Sequence, residues 1–238
     1  MKCLILAGGF ATRLYPLTIN KAKALLEFRG KPVISHIIDK IPLNIDILVS
    51  TNKKFEDDFL KWRKTLGRPV EICIEEAVSE EQKKGAVGAI DFWIKSKIIT
   101  EDLMIVAGDN YFDFNLVDFI AKFNGKNPII AVYDVGDKDK ACEIGKACQL
   151  GLVILKKNKI VRFDEKPQEA TSSILATGIY VLPPHVFPLL SRYCSESKRD
   201  SLGNFIAFLL NQEEIHAHIF TGLWIDIGDE IKRGKLSV

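Results

Sequence analysis

The feature that most constrains the fold is the N-terminal run, in which a short apolar segment leads directly into two glycines. Residues 4–7 can form a buried strand, and Gly8 and Gly9 let the backbone turn without a Cβ, so that consecutive N–H groups face one anion. Arg13 and Lys23 follow shortly afterwards and add positive charge. The order of these parts predicts a site for a nucleoside triphosphate.

Two common nucleotide-binding fingerprints do not fit this run. Residues 8–11 lack the third spaced glycine of a Rossmann fingerprint. Residues 30–32 (GKP) have neither the upstream glycine nor the Ser/Thr of a P-loop. Both of these motif assignments are therefore disfavoured.

Short apolar runs alternate with longer mixed segments through the first half of the chain. The apolar runs predict strands at 2–7, 45–50, 69–74, 102–107 and 128–134. The mixed segments predict helices at 32–40, 53–65, 86–96 and 115–124. This alternation predicts a mostly parallel sheet that is covered on both faces.

The pattern changes from about Leu150 onwards. Residues 152–155 and 160–163 predict a hairpin, and a strand at 174–182 and a helix near 202–211 follow. These elements predict an antiparallel addition to the sheet. Because no internal repeat or linker is visible, we expect one domain over 1–238, with a nucleotide-binding half at 1–149 and a second substrate-binding half at 150–238.

Composition and charge exclude several classes of partner. The chain has 238 residues, is 47% hydrophobic and has a formal net charge of +2, so it can bury a full core but has no strongly basic face for a nucleic acid polymer. No apolar run approaches the length of a membrane span, and the N-terminus does not resemble a signal peptide. The 5 cysteines are odd in number and form no C-x-x-C pair, which suits a reducing compartment. We therefore expect a cytoplasmic protein.

Five motifs, in order along the chain, resemble those of sugar-1-phosphate nucleotidyltransferases, also called NDP-sugar pyrophosphorylases. They are the run 6–32 and the segments 106–110 (VAGDN), 163–167 (FDEKP), 176–180 (ATGIY) and 224–228 (WIDIG). The Gly-Asp-Asn form most resembles the branch that includes glucose-1-phosphate thymidylyltransferase. The resemblance implies an α/β fold: a Rossmann-like three-layer sandwich with a mixed, mostly parallel central sheet and an antiparallel substrate lobe.

The resemblance also implies an activity. A nucleoside triphosphate and a sugar-1-phosphate would be joined, with Mg²⁺ as cofactor, to give an NDP-sugar and pyrophosphate. The expected pair is dTTP with glucose-1-phosphate, and the alternatives are a mannose-1-phosphate guanylyltransferase and a UTP-glucose-1-phosphate uridylyltransferase. Two other classes stay open, namely a cytidylyltransferase for a phosphorylated alcohol such as phosphocholine and a non-catalytic nucleotide-sugar sensor. A homo-oligomer is compatible with each of these.

Two aspartates have both a structural and a functional interpretation. Asp109 follows a predicted buried strand, where an isolated carboxylate needs a partner or a metal, although aspartate at that position could also cap a helix. Asp226 lies in an apolar run and could simply lie on a solvated strand face. The resemblance implies that both are ligands of Mg²⁺, an ion that suits hard oxygen donors and retained waters.

The resemblance assigns roles to the remaining candidates as well. Arg13, Lys23 and Lys166 are the implied catalytic residues. The implied nucleotide-binding residues are Leu6, Ala7, Gly8, Gly9, Arg13, Gly85 and Gly108. The implied sugar-phosphate-binding residues are Glu165, Lys166, Gly178 and Gly151. Without the resemblance, Lys166 would be an ordinary surface lysine, and Gly151 and Gly178 would be turn or bulge glycines.

Overall fold

The computed structural model describes residues 1–145, 150–196, 201–232 and 234, which form an α/β arrangement. The strands are β1 (Lys2–Leu6), β2 (Glu27–Phe28), β3 (Lys31–Pro32), β4 (Asp46–Asn52), β5 (Glu71–Glu75), β6 (Leu103–Ala107), β7 (Asn110–Phe112), β8 (Ile129–Asp134), β9 (Gly151–Lys156), β10 (Lys159–Glu165), β11 (Ile174–Leu182), β12 (His216–Phe220) and β13 (Trp224–Asp226). The helices are α1 (Val33–Ile38), α2 (Glu56–Arg63), α3 (Ala86–Ser96), α4 (Leu116–Ala121), α5 (Lys138–Gly145), α6 (Phe187–Glu196), α7 (Leu202–Leu209) and α8 (Ile227–Lys232).

The central sheet is mixed and mostly parallel. Its strand order is β5-β4-β1-β6-β11-β8-β12-β10-β9. The strands β5, β4, β1 and β6 run parallel to one another, and β12 runs parallel to β8. The strand β11 is antiparallel to both of its neighbours, and β9 and β10 form an antiparallel hairpin at one edge. The parallel strands therefore end on one side of the sheet, which is where α/β folds bind ligands.

The sheet is covered on both faces, as the strand and helix alternation predicts. Successive residues of β1 show this directly, because Ile5 packs in the cluster that includes Phe59 of α2, whereas Leu4 packs in the cluster that includes Ile90 of α3. All four side chains are fully buried. Burial on both faces explains why residues 3–6 of β1 form a continuous apolar run rather than an alternating one.

The elements expected from the sequence lie within a few residues of those observed, and the fold class is confirmed. One placement was not expected. The segment Ile174–Leu182 is antiparallel, but it lies between β6 and β8 in the middle of the main sheet rather than in a separate antiparallel addition. The division into a nucleotide-binding and a substrate-binding half stays a prediction.

The cysteines only partly follow the expectation of reduced thiols. Cys3 and Cys73 are free thiols, in agreement with that expectation, and both are buried in strands. Cys142 is disulfide-bonded, which the argument from an odd cysteine count did not predict. Among the helices in the described part of the chain, none has the length and apolar character that a membrane crossing requires. The cytoplasmic location and the homo-oligomer stay predictions.

Gly178 provides a test of the packing at the centre of the sheet. It lies at a register shift in β11 with φ 78°, and a Cβ there would approach the Cβ of Ala107 to 2.8 Å. We expect Gly178→Ala to lower the free energy of unfolding by about 2–3 kcal/mol, because it combines a positive φ with overpacking. Denaturant-induced unfolding measures the loss.

Gly125 is the matched control for this substitution. Its φ is 74°, and nothing lies within 4 Å of a Cβ placed there. Gly125→Ala should therefore lower the free energy of unfolding by only about 1 kcal/mol, the cost of the backbone conformation alone. Equal losses for the two variants would contradict the packing argument.

Candidate active site

All site residues named from the sequence line two adjoining cavities at the carboxyl ends of the parallel strands. The cavities have volumes of about 420 and 380 Å³. The first is lined by Ala7, Arg13, Lys23 and Gly108, the second by Gly8, Gly85, Gly151, Glu165 and Gly178, and both by Leu6, Gly9, Asp109, Lys166 and Asp226. Residues that are far apart in the sequence thus share one cleft, and their individual roles stay proposals.

The loop after β1 is fixed by the neighbouring strands. The Gly108 N–H donates to the Leu6 carbonyl at 2.9 Å, and the Asn52 amide Nδ2 donates to the Gly8 carbonyl at 3.1 Å. Arg13 lies in a short 3-10 helix, Thr12–Leu14, and its side chain is exposed towards the first cavity. The turn therefore holds its backbone in place before any ligand binds.

Ala11 adopts a left-handed conformation at the start of this 3-10 helix. Its φ is 49° and its ψ is 40°, a backbone geometry that costs about 1 kcal/mol for a residue with a Cβ. The Thr18 hydroxyl and the Leu14 N–H both donate to the Ala11 carbonyl, at 2.8 and 2.9 Å. These two hydrogen bonds help to hold the strained residue in place, so an alanine is accommodated at this position.

The centre of the cleft is an ionic cluster of one lysine and two aspartates. The Nζ of Lys23 lies 2.9 Å from Oδ2 of Asp109 and 2.9 Å from Oδ1 of Asp226. Burial opposes the charged form of Lys23, but the attraction of the two carboxylates outweighs it and raises the pKa of the ammonium above its usual value. Two negative charges therefore converge on one cation.

Pairing between β7 and β13 brings Asp226 to Asp109. In this two-stranded sheet Asp226 lies opposite Asn110, the residue that follows Asp109. The helix-cap interpretation of Asp109 does not apply, because the side chain of Asn115 caps α4 by accepting from the Val117 N–H at 2.9 Å. The half-buried carboxylate of Asp226 contacts Lys23 and is not simply on a solvated strand face.

These two carboxylates are suited to a divalent cation. The Lys23 ammonium is a stand-in ion, since its position shows that one oxygen from each aspartate can contact the same cation. No group of three or more His, Cys, Asp or Glu side chains that could hold a metal ion occurs among the described residues. Two protein carboxylates with further oxygen ligands from water and phosphate is the usual arrangement for Mg²⁺.

Glu165, at the end of β10, lines the second cavity. The Ser201 hydroxyl donates to Oε1 of Glu165 at 2.9 Å, and the same hydroxyl accepts from the Asn204 N–H at 3.1 Å as the N-cap of α7. A Cβ at Gly203 would overlap the Glu165 carboxylate. Ser201 and Gly203 line the second cavity and were not identified from the sequence.

Packing and hydrogen bonding also account for several other residues of the second cavity, apart from any contact with a ligand. A Cβ at Gly151 would overlap the Phe163 ring, so packing alone accounts for that glycine. The Asn110 amide Nδ2 donates to the Thr177 carbonyl at 3.0 Å, which fixes the bulge beside Gly178. Lys166 has a φ of 47° and a side chain that is 54% exposed, and its Nζ lies 4.0 Å from Oε1 of Glu165.

Glu75 is a buried carboxyl group of the second cavity that sequence analysis missed. It ends β5 with 5% of its surface exposed. Its Oε1 accepts from the Ser50 hydroxyl at 3.1 Å and its Oε2 accepts from the Lys84 N–H at 3.3 Å. Burial raises the pKa of this carboxyl group, although the Lys84 and Ser50 hydrogen bonds act in the opposite direction.

The loop between β5 and α3 reaches the cleft only in part. The Oε1 of Gln82 accepts from the Val78 N–H at 2.9 Å, and this side chain lines neither cavity. Gly85, with φ 75°, is the N-cap residue that precedes α3, and it lines the second cavity. The signal that could have identified Glu75 is an acidic residue at the end of a predicted parallel strand.

The fold and the cleft agree with a family assignment. The model of the nucleotidyl transferase family matches residues 2–231, so the chain belongs to that family. A solved structure of a putative glucose-1-phosphate thymidylyltransferase from Bacillus anthracis has the same fold, with a TM-score of 0.80 and 23% identity over 99% of this chain and 94% of that one. At this identity the likeness supports the fold alone.

Curated relatives are similar over nearly the whole chain. A putative mannose-1-phosphate guanyltransferase from Sulfolobus acidocaldarius is 28% identical over 96% of this chain and 60% of the relative. The mannose-1-phosphate guanyltransferase of Debaryomyces hansenii is 26% identical over 96% of this chain and 61% of the relative. The chain thus spans about three fifths of the length of these two relatives.

The raised pKa of Glu75 predicts a pH-dependent stability difference. The folded protein holds the Glu75 proton more tightly than the unfolded chain, so this group's contribution is present at low pH and is lost as the pH rises through the folded pKa. Glutamine does not titrate. The stability of Glu75→Gln relative to that of the wild type should therefore increase as the pH rises from about 4.5 to neutrality.

Denaturant unfolding at several pH values measures this difference. Glu76→Gln is the matched control, because Glu76 is the adjacent residue and is exposed, so its stability relative to the wild type should change little across the same range. The raised pKa of Glu75 would be contradicted if the stability of Glu75→Gln relative to the wild type did not change with pH. It would also be contradicted if this relative stability changed equally with pH for both variants.

Proposed function

We propose that this protein transfers a nucleotidyl group from a nucleoside triphosphate to a sugar-1-phosphate and releases pyrophosphate. The observation that carries the proposal is the cluster in which Lys23 contacts both Asp109 and Asp226. Arg13 and Lys166 line the same cavity, so these two cations and the Lys23 cluster surround one space that can hold phosphates. Family membership supports the same reaction class.

The reaction requires positioning and charge neutralisation rather than proton transfer. An oxygen of the sugar phosphate forms a bond to the α-phosphorus, the bond from that phosphorus to the bridging oxygen of the β-phosphate breaks, and pyrophosphate takes the electron pair. The attacking oxygen is already ionised at neutral pH, so no general base is needed. Arg13 would stabilise charge on the leaving pyrophosphate and Lys166 would hold the sugar phosphate.

Asp109 and Asp226 would hold Mg²⁺, which supplies charge neutralisation at the phosphates when it is bound. Glu165 would accept hydrogen bonds from sugar hydroxyls, because a carboxylate is an acceptor and Ser201 fixes its orientation. Gly178 and Gly151 would let the sugar approach the backbone. The backbone of Leu6, Ala7, Gly8, Gly9, Gly85 and Gly108 would contact the nucleotide.

Removing one carboxylate at a time tests the metal assignment. Asp109→Asn and Asp226→Asn should each lower turnover at least about a hundredfold at limiting Mg²⁺, because charge neutralisation is the main source of catalysis. Pyrophosphate release measures turnover, and circular dichroism checks that each variant is folded. Near-normal turnover in both folded variants would defeat the assignment.

We further propose that the nucleotide is GTP. Glu75 presents acceptor oxygens at the wall of the second cavity, and its hydrogen bonds with Ser50 and Lys84 leave lone pairs for a ligand. The guanine edge offers two adjacent donors, N1–H and the N2 amino group, which match an ionised carboxylate. Thymine and uracil offer one N3–H between two carbonyl oxygens, and these oxygens would face the carboxylate unfavourably.

The pair of dTTP and glucose-1-phosphate is the competing proposal. It rests on the resemblance of residues 106–110 to the thymidylyltransferase branch, whereas the guanyltransferase names of the two curated relatives favour GTP with mannose-1-phosphate. A pyrophosphate-release screen over GTP, dTTP, UTP, CTP and ATP with several sugar-1-phosphates separates them. Phosphocholine with CTP is included in the screen, and bound nucleotide without pyrophosphate would indicate a sensor.

The variant Glu75→Gln should reduce the preference for GTP. Replacing one acceptor oxygen with an NH₂ donor creates the acceptor and donor pair that suits an imide edge. We expect the ratio of kcat/KM for GTP to that for dTTP to fall at least about tenfold, with Glu76→Gln as the control that leaves it unchanged. An unchanged ratio in Glu75→Gln would show that this residue does not select the base.

A further inference from the structure

The ammonium of Lys23 lies where the two candidate metal ligands converge. Its Nζ is 2.9 Å from one oxygen of Asp109 and 2.9 Å from one oxygen of Asp226, and only 15% of the side chain is exposed. We propose that Lys23 is a place-holding cation, which partly neutralises the two carboxylates until a divalent cation and the nucleotide enter together. This inference rests on the proposed function, because it takes Asp109 and Asp226 as the metal ligands.

The surrounding residues are shaped to accept Lys23 in this position. Gly228 lies in the first turn of α8, and a Cβ there would overlap both Cε and Nζ of Lys23. Its φ is not positive, so the backbone itself does not require glycine. Glycine is unfavourable within a helix relative to alanine. The space that Gly228 leaves is filled by the lysine side chain.

A divalent cation and the Lys23 ammonium compete for the same oxygens. Two like-charged ions cannot both contact Asp109 Oδ2 and Asp226 Oδ1 without strong mutual repulsion, so metal binding requires Lys23 to move. A triphosphate in the first cavity offers Lys23 an alternative partner, because Lys23 and Arg13 both line that cavity. Nucleotide binding therefore frees the carboxylates for the metal, which couples the two binding events.

The charge balance supports this order of events. Without a metal, the cluster of two carboxylates and one ammonium has a net charge of −1, whereas without Lys23 it would have a charge of −2. A pair of carboxylates that carries more negative charge attracts a divalent cation more strongly. The place-holding cation thus lowers the affinity for free metal ions and reserves the site for the metal that accompanies a nucleotide.

The test measures Mn²⁺ binding to the full chain without nucleotide, by electron paramagnetic resonance of the free ion. Lys23→Met should bind Mn²⁺ at least about tenfold more tightly than the wild type, because the competitor is removed. Lys21→Met removes an exposed lysine two positions away and should bind Mn²⁺ like the wild type. In the double variant Lys23→Met with Asp226→Asn, the gain in affinity should disappear.

A second variant keeps the charge and moves it. Gly228→Ala should displace Lys23 from the carboxylates and therefore also tighten Mn²⁺ binding. This variant tests the inference if Lys23→Met does not fold. The melting temperature gives an independent readout: in EDTA Lys23→Met should melt below the wild type, and saturating Mn²⁺ should raise its melting temperature more than that of the wild type.

The outcomes separate this inference from the proposed function. Mn²⁺ affinity that is equal to or weaker than that of the wild type in folded Lys23→Met and Gly228→Ala would overturn the place-holding role, even if pyrophosphate release is found. Tighter Mn²⁺ binding in these variants, together with no pyrophosphate release by the wild type from any substrate pair, would support the inference and defeat the proposed reaction.

Discussion

The attraction between the Lys23 ammonium and the carboxylates of Asp109 and Asp226 connects the three parts of the cleft. Lys23 comes from the loop after β1, Asp109 from the end of β6, and Asp226 from the end of β13. Each charge is partly withdrawn from water, and an unpaired charge in such a place is costly. The segments that carry these residues must therefore come together, and both cavities are lined by Asp109 and Asp226.

The two cavities differ in chemical character, although they share that centre. The first is lined by the glycine turn and by the cations Arg13 and Lys23, which suits phosphates. Besides the shared Asp109 and Asp226, the second is lined by two carboxyl groups in different surroundings: Glu75 is nearly inaccessible, and Glu165 is held by Ser201. Carboxyl groups accept hydrogen bonds from neutral donors such as hydroxyls and ring N–H groups. The cleft thus has a cationic part, which suits anionic groups, and an acceptor-rich part, which suits neutral hydrogen-bond donors.

Local sequence patterns predicted most of the helices and strands. The order of the strands in the sheet and some residues of the cleft depend on long-range contacts, which local patterns do not encode. The buried residues of β1 and β6 form continuous apolar runs, so the local sequence alone predicts these strands. The insertion of β11 between β6 and β8 depends on pairing across many residues, and no local pattern encodes it. In the cleft, motif resemblance identified Asp109, Asp226, Glu165 and Lys166. Glu75 and Ser201 were missed, since an acidic residue ending a strand or a helix-capping serine is usually structural, and only the fold shows that both face a cavity.

The position of β11 has a consequence for how the chain acquires its sheet. The strands β6 and β8 are near each other in sequence but do not pair, because β11 fills the space between them and comes later in the chain. Until Ile174–Leu182 is in place, both strands present an open edge with unpaired backbone groups, the kind of edge that recruits other chains. The N-terminal part of the molecule cannot complete its sheet by itself during synthesis. Aggregation during folding should therefore compete most strongly in the interval before this one central strand docks.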